Sequence, residues 1–180
     1  MSEKQRGEVN VSFPKGFFRE FSGFEPIQFY QIYEREIHAS RPLELPAVSQ
    51  GHLFVYVVAG AAKLKGKMQT QMLYEESIML CPADAAYTLD PVDRIKGFRY
   101  VCLHLQVSEK HYPITAMASL CSYYVNADMP LCAPGVSQIE MIISSLISEL
   151  CVVKKTVPLL IRDLIYQLLV LAYRLALIFL

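Results

Sequence analysis

Residues 51–106, GHLFVYVVAGAAKLKGKMQTQMLYEESIMLCPADAAYTLDPVDRIKGFRYVCLHLQ, contain the strongest structural signal in the chain. The apolar run His52–Val58 leads into a glycine, and Lys65-Gly66-Lys67 marks a hairpin turn. Two more apolar runs follow, Ser77–Cys81 and Phe98–Leu105. Short runs rich in β-branched and aromatic residues, bounded by Gly and Pro, are typical of strands. Several such strands in succession predict an antiparallel barrel or sandwich.

An earlier strand is predicted over residues 27–37, IQFYQIYEREI, where aromatic and β-branched residues dominate. Side chains alternate between the two faces of a strand, so Phe29, Tyr33 and Arg35 are expected on one face. Pro42 then marks a loop before the next strand.

The period of the pattern changes towards the carboxyl end. After the breaker Pro134-Gly135, apolar residues from Val136 to Leu150 recur at helical intervals and predict a helix. A second helix is predicted over 158–180, with Pro158 in its first turn. This helix carries two neighbouring apolar stripes: Leu160, Leu164, Leu168, Leu171 and Leu175 form one, and Ile161, Ile165, Leu169, Ala172 and Ala176 form the other. Two stripes indicate two burial partners: one is the chain's own barrel or first helix, and the other could be a second copy of the chain. The alternative is a helix covered wholly by its own domain.

Composition excludes several classes of protein. The 180 residues are 53% hydrophobic and 19% charged, enough for one domain with a real core and unlike a disordered chain. The formal net charge of zero argues against this segment being a main nucleic-acid surface. Five cysteines without C-x-x-C spacing indicate reduced thiols in a cytoplasmic protein. The first ten residues have no apolar run typical of a signal peptide.

The apolar segment 164–180 requires a test for membrane insertion. A spanning helix needs about 20 predominantly apolar residues. Arg162, Asp163, Gln167 and Arg174 interrupt the stretch, so no membrane partner is predicted.

The order of hydrophobic strand, Gly60, hairpin, strand, Pro82 and aromatic-rich strand resembles the sensor half of the AraC/XylS family of bacterial transcription regulators. The resemblance implies a mainly β fold, a cupin-like (double-stranded β-helix or jelly-roll) barrel followed by two or three helices. It places a ligand-binding barrel at residues 1–112 and a helical dimerisation segment at 113–180. Two features depart from the family pattern: Ala83–Tyr87 lacks the usual histidine after the proline, and Glu75-Glu76 replaces Gly-Asp.

The same resemblance implies a homodimer. Family sensors pack two helices against a partner subunit, and the LIYQLL run looks like the leucine-rich part of that helix. The interface residues expected from it are Leu164, Leu168, Leu171 and Leu175. DNA would be bound only through a C-terminal domain with two helix-turn-helix motifs, which nothing here matches. The chain is therefore expected to be a fragment of a longer regulator.

No catalytic residue, metal or cofactor is predicted. The cupin metal signature needs an H-x-H pair, but the four histidines His38, His52, His104 and His111 lie in separate segments. There is no G-x-S-x-G nucleophile motif and no glycine-rich phosphate loop.

The expected ligand is a small polar organic molecule, a sugar or another polar metabolite, bound inside the barrel. Tyr100, Cys102 and His104 share one face by alternation, and the resemblance places the positions matching Thr88, Tyr100 and Cys102 in the pocket. The candidate site also includes Tyr33 and Arg35 on the early strand and Tyr56 on the first barrel strand. Arg35 or Arg41 could bind a carboxylate or hydroxyl group of the ligand. The alternatives are a stand-alone cupin-like metalloenzyme and a dimerisation module with a filled pocket.

Overall fold

The structure is a computed structural model. It describes residues 10–12, 27–38, 42–45, 51–66, 70–82, 86–93, 95–107, 131–151 and 158–179. The described strands are β1 (Asn10–Ser12), β2 (Ile27–Ile37), β3 (Leu43–Glu44), β4 (His52–Ala59), β5 (Ala62–Lys65), β6 (Thr70–Leu73), β7 (Ser77–Pro82), β8 (Thr88–Pro91), β9 (Phe98–Val107) and β10 (Leu131–Pro134). The helices are α1 (Ser137–Cys151) and α2 (Pro158–Phe179).

The strands form two antiparallel sheets. One has six strands in the order β1-β2-β9-β4-β7-β10, and the other has four in the order β3-β8-β5-β6. The strands predicted over 27–37, 52–58, 77–81 and 98–105 are confirmed as β2, β4, β7 and β9, and both predicted helices are present. The chain is therefore mainly β with helices at its carboxyl side, as predicted.

The six-stranded sheet has an apolar core on each face. Leu53, Val55 and Val57 of β4 belong to a cluster that includes residues of the four-stranded sheet, here called the barrel core. Phe54 and Tyr56 belong to a second cluster with residues of α1 and α2, here called the helix core. The sheet is thus the shared wall between a barrel interior and a helical layer.

The barrel is built from more than the segment predicted for it. Strand β10 lies inside the range 113–180, which was expected to be helical, yet it pairs with β7 from Leu131↔Leu80 to Pro134↔Ser77. The larger sheet thus recruits a strand from beyond residue 112. The position of the boundary at 112/113 falls outside the described residues.

A capped turn determines where β9 begins. The Asp93 carboxylate accepts hydrogen bonds from the backbone N–H of Ile95 at 2.9 Å and of Lys96 at 3.1 Å. These donors hold the pKa of Asp93 below its usual value. Gly97 follows with φ +75°, and a Cβ there would lie 2.8 Å from His38 Nδ1, just after β2. Glycine is needed at this position because the backbone is left-handed and because a Cβ would lie too close to His38 and Ile37.

Candidate functional site

Strands β2 and β9 bring together four of the predicted site residues. Arg35 lies directly opposite Tyr100, and Tyr33 lies directly opposite Cys102. Tyr33, Tyr100 and Cys102 belong to the barrel core, and Arg35 follows Tyr33 by two residues on the same strand face. These four residues are called the polar cluster below.

The aromatic rings of the cluster are packed in defined contacts. The Tyr33 and Tyr100 rings meet edge to face, with centroids 6.3 Å apart and planes inclined at 77°. Phe98 stacks on Tyr100 at 5.7 Å. The Arg35 guanidinium carbon lies 5.1 Å from the Tyr33 ring centroid, within the range of a cation–π contact. The side chain of Arg35 is exposed, so the cluster runs from the solvent-facing guanidinium into the barrel core.

Both tyrosine hydroxyls are buried and lack a well-aligned hydrogen-bond partner in the part of the chain that the structure describes. Tyr33 is 5% exposed and Tyr100 is 0% exposed. Neither hydroxyl completes a hydrogen bond of good geometry among the described residues. The Cys102 thiol lies close enough to Tyr33, and Arg35 and Tyr33 lie close enough to Tyr100, to act as weak partners that shift the pKa of the two hydroxyls. A poorly partnered buried hydroxyl costs on the order of 1–3 kcal/mol, so these two tyrosines mark the polar part of the barrel core.

The polar cluster is neutral apart from its arginine. Burial raises the pKa of Tyr33 strongly, and the neighbouring Cys102 thiol adds to that rise. Burial also raises the pKa of Tyr100 and of Cys102 to about 12 each, against the lowering effect of the Arg35 charge. Both phenols and the thiol therefore keep their protons near neutral pH and can act as hydrogen-bond donors.

The surroundings of the cluster in the barrel core are almost entirely apolar. Its other buried members are Ile37, Leu45, Leu53, Val55, Val57, Ala62, Leu64, Leu73, Met79, Cys81, Tyr87, Leu89 and Phe98. The combination of a few polar groups with an apolar lining is typical of small-molecule sites.

A separate polar contact lies at the other end of β9. There the Tyr30 ring lies 4.6 Å from the His104 ring, and the Tyr30 hydroxyl donates to Gln106 Oε1 at 2.6 Å.

Two predicted site residues lie elsewhere. Tyr56 belongs to the helix core, so its prediction as a barrel residue was wrong. Thr88 is half-buried and alternates with Leu89, which belongs to the barrel core; Thr88 therefore lies on the opposite face of β8. Tyr87 takes the inward position instead. Phe98 was overlooked, although its alternation with Tyr100 would have identified it.

The histidines do not form a metal cluster among the described residues. In that part of the chain, no three His, Cys, Asp or Glu side chains gather as a metal site would require. His38 is exposed and pairs with Glu36 at 3.1 Å, while His52 begins β4 and His104 lies on β9. His111 and Arg41 lie outside the described residues. The prediction that no metal or cofactor is bound stays a prediction.

The leucines predicted for a dimer interface do not share one environment. Leu168 is 0% exposed and belongs to the helix core, so its prediction as an interface residue was wrong. Leu164, Leu171 and Leu175 are only partly buried against that core. The apolar side chains that α2 leaves exposed are Leu159, Leu160, Leu177 and Ile178. Over the part of the chain that the structure describes, neither helix is long and apolar enough to cross a membrane.

Two antiparallel sheets followed by two helices confirm the predicted fold class, mainly β with helices at the carboxyl side. Among solved structures, the chain is similar to an apo ToxT variant from Vibrio cholerae, with 14% identity over 78% of this chain and 52% of that one, at a TM-score of 0.52. YhaK from Escherichia coli is 8% identical over 71% of this chain and 51% of its own, at a TM-score of 0.49.

A cupin protein from Bacteroides fragilis is 9% identical over 64% of this chain and 89% of its own, at a TM-score of 0.42. The present chain thus spans about half the length of the ToxT and YhaK chains. At these identities the likeness is one of fold alone. No profile of a known protein family and no curated protein matches the sequence.

Proposed function

We propose that this chain is the effector-binding domain of an AraC-type transcription regulator and that it senses a small polar organic molecule inside its barrel. The observation that carries the proposal is the pair of buried Tyr33 and Tyr100 hydroxyls, for which the described residues supply no well-aligned hydrogen-bond partner. The order of strands and turn residues that resembles the AraC/XylS sensor half supports the assignment to a regulator. In this proposal the domain acts in the cytoplasm by binding, not by catalysis.

The hydroxyls of Tyr33 and Tyr100 have hydrogen-bonding capacity that the described residues leave largely unused. Buried polar groups are nearly always partnered, and exceptions concentrate at functional sites. A ligand group placed between the Tyr33 and Tyr100 hydroxyls would satisfy both donors. The apolar barrel core around them would bury the remainder of the ligand. Because the guanidinium of Arg35 is exposed, the same end of the barrel offers a contact to the part of a ligand that stays near solvent.

The test measures binding by a method that does not depend on the replaced tyrosines. A panel of sugars, polyols, amino acids and organic acids is titrated into the protein in a calorimeter. We expect at least one compound to bind the wild type but not the Tyr33→Phe/Tyr100→Phe double variant. Tyr74→Phe is the control, because Tyr74 is 60% exposed on a turn.

Equal responses in the wild type and the double variant would place binding elsewhere, and no response to any compound would contradict the sensor proposal. A specific observation favours one alternative, a dimerisation module whose barrel is filled by its own side chains. Phe98, Tyr100 and Leu64 are among the largest fully buried side chains of the chain. In that alternative the two hydroxyls are satisfied by ordered water.

We further propose that the domain forms a homodimer through the exposed side of α2. The substitutions Leu160→Glu and Ile178→Glu test it, since these side chains are 44% and 73% exposed and tolerate charge without loss of the fold. We expect a dimer for the wild type in sedimentation velocity and a folded monomer for the double variant. Ile95→Glu is the control, because Ile95 is 91% exposed on the β8–β9 turn. A monomeric wild type, or a double variant that remains dimeric, would contradict the proposal.

A further inference from the structure

Three exposed carboxylates lie together at one rim of the fold, where the β6–β7 turn meets the start of α1. Glu75 and Glu76 lie in the turn, and Glu140 lies in the first turn of α1. All three side chains are exposed. We call Glu75, Glu76 and Glu140 the acidic rim. The ion pairs among the described residues involve other groups: His38 with Glu36, Lys65 with Asp90, Arg99 with Glu34, and Arg162 with Asp163.

The two elements that carry the acidic rim are joined by close backbone contacts. The Glu76 N–H donates to the carbonyl oxygen of Val57 at 2.9 Å, which fixes the turn to the end of β4. Gly135 lies just before α1, and a Cβ there would collide with the Glu76 carbonyl oxygen. Glycine therefore lets the chain pass close to the turn as it enters α1. This contact brings the start of the helix, and with it Glu140, next to Glu75 and Glu76.

A buried tyrosine lies beneath the acidic rim. Tyr56 is 3% exposed and belongs to the helix core together with Ile139 of α1. Its hydroxyl completes no hydrogen bond with the described residues. Burial, followed by the charges of Glu140, Glu76 and Glu75, raises the pKa of Tyr56 to about 12, so the phenol is neutral near pH 7. Since buried polar groups are nearly always partnered, this hydroxyl indicates that a group from outside completes the site.

We propose that the acidic rim is a docking surface for a cationic, amphipathic segment of a protein partner, with lysine or arginine side chains beside leucine-like ones. Exposed apolar side chains adjoin the carboxylates on both elements: Tyr74, 60% exposed, precedes Glu75, and Met141, 69% exposed, follows Glu140. Cationic side chains of the partner would donate to the carboxylates and to the Tyr56 oxygen, because a phenol oxygen accepts as well as donates. This surface is separate from the barrel core and does not depend on ligand binding there.

The charge of the acidic rim disfavours other occupants. A second copy docked rim to rim would bring three more carboxylates against these, and DNA and anionic lipids carry the same sign of charge. A metal ion needs ligands that converge on one point. Among the described residues, no three His, Cys, Asp or Glu side chains gather in that way. A cationic protein segment fits better, because its charges are spread along a surface as those of the rim are.

The test is the binding of synthetic peptides to the 180-residue chain, measured by calorimetry. The main probe is a peptide of about twelve residues, roughly three helical turns, with leucine and lysine at helical spacing. One comparison peptide has glutamate in place of every lysine, and a second has serine in place of every leucine. Spermidine serves as a small cation. We expect the leucine–lysine peptide to bind most tightly and to weaken about fivefold as the salt concentration is raised from about 0.02 M to about 0.2 M.

Variants assign the binding to the acidic rim. Glu76→Gln/Glu140→Gln should weaken binding of the leucine–lysine peptide about fivefold, since each exposed ion pair contributes little by itself. Tyr56→Phe should weaken it about two- to threefold. The matched control is Glu44→Gln/Glu148→Gln, which removes two exposed carboxylates from β3 and from a later turn of α1 and should leave the affinity unchanged. Circular dichroism verifies that each variant keeps the fold.

Several results would overturn the proposal. No binding of the leucine–lysine peptide to the wild type at low salt is one, and an affinity that does not change with salt is another. Equal weakening in the two double variants would place the binding away from the acidic rim. Spermidine binding as tight as that of the peptide would assign the rim to small cations instead. Equal binding of the peptide that carries serine would show that the apolar neighbours take no part.

Discussion

Removing the Tyr100 hydroxyl should make the ligand-free protein more stable. Tyr100 is fully buried, and its hydroxyl has no hydrogen-bond partner among the described residues. Folding therefore strips water from that hydroxyl without replacing it, at a cost on the order of 1–3 kcal/mol. Tyr100→Phe removes this cost and keeps the ring stacked on Phe98. We expect the free energy of unfolding to rise by about 1 kcal/mol.

Tyr30→Phe provides the matched comparison. The Tyr30 hydroxyl donates a hydrogen bond to Gln106 Oε1 at 2.6 Å. Loss of such a bond typically costs about 0.5–1.5 kcal/mol. The same chemical change is thus expected to stabilise the protein at position 100 and to destabilise it at position 30, a separation on the order of 2 kcal/mol between the two variants.

Urea unfolding at one fixed protein concentration measures both variants. The midpoint should shift upward for Tyr100→Phe and downward for Tyr30→Phe, with unchanged slopes that show equal surface exposure on unfolding. A Tyr100→Phe variant as destabilised as Tyr30→Phe would refute the reasoning, because it would show that the Tyr100 hydroxyl is already satisfied, for example by a buried water.

Three other measurements follow from the structure. Burial raises the pKa of Tyr100 from 10.0 to about 12. Between these two pH values the unfolded chain has lost the Tyr100 proton while the folded chain keeps it, so the free energy of unfolding falls as the pH rises. Tyr100→Phe should make this fall shallower in urea titrations at several alkaline pH values. Leu168→Ala should lower the unfolding free energy by about 2–5 kcal/mol, because Leu168 is fully buried, whereas Leu177→Ala, at a site 59% exposed, should change it by less than about 0.5 kcal/mol. Elemental analysis of the purified domain should find no stoichiometric zinc, iron or manganese; such a metal, lost on replacement of His52 or His104, would favour a metalloenzyme instead.

The strands were predictable because their boundaries are marked by Gly, Pro and turn residues, but the faces of some strands were not. In β4, residues from His52 to Val57 are all buried, since the sheet is covered on both sides. A strand buried on both faces has no polar alternation to show which side points inward. Tyr56 was therefore assigned to the barrel when it faces the helices.

A β-bulge explains a second difference. Phe29, Tyr33 and Arg35 were expected on one face of β2, but the pairing with β9 shifts between Phe29 and Gln31. The extra residue reverses the alternation, so Phe29 enters the helix core while Tyr33 remains in the barrel core. No residue type in the segment 27–37 marks such a bulge in advance.

The helix α2 shows the limit of periodicity in another way. Its two apolar stripes correctly indicated burial on a broad face, but the pattern does not say which neighbour covers each stripe. The chain's own sheet and α1 cover Leu168 completely. Tertiary packing, which lies outside any local pattern, decides this. The register that opposes Arg35 to Tyr100 was likewise inaccessible from single strands.

Strand β9 is covered on both faces, so a single strand directly connects the barrel core with the helix core. Tyr100 and Cys102 face the barrel core, while Val101 and Leu103, their covalent neighbours, pack in the helix core with α1 and α2. Successive residues of a strand are only about 3.3 Å apart. Any tilt or slide of β9 would therefore displace residues of the barrel core and of the helix core together. A displacement on the barrel side of β9 would reach the helices through this one strand, without intervening side chains.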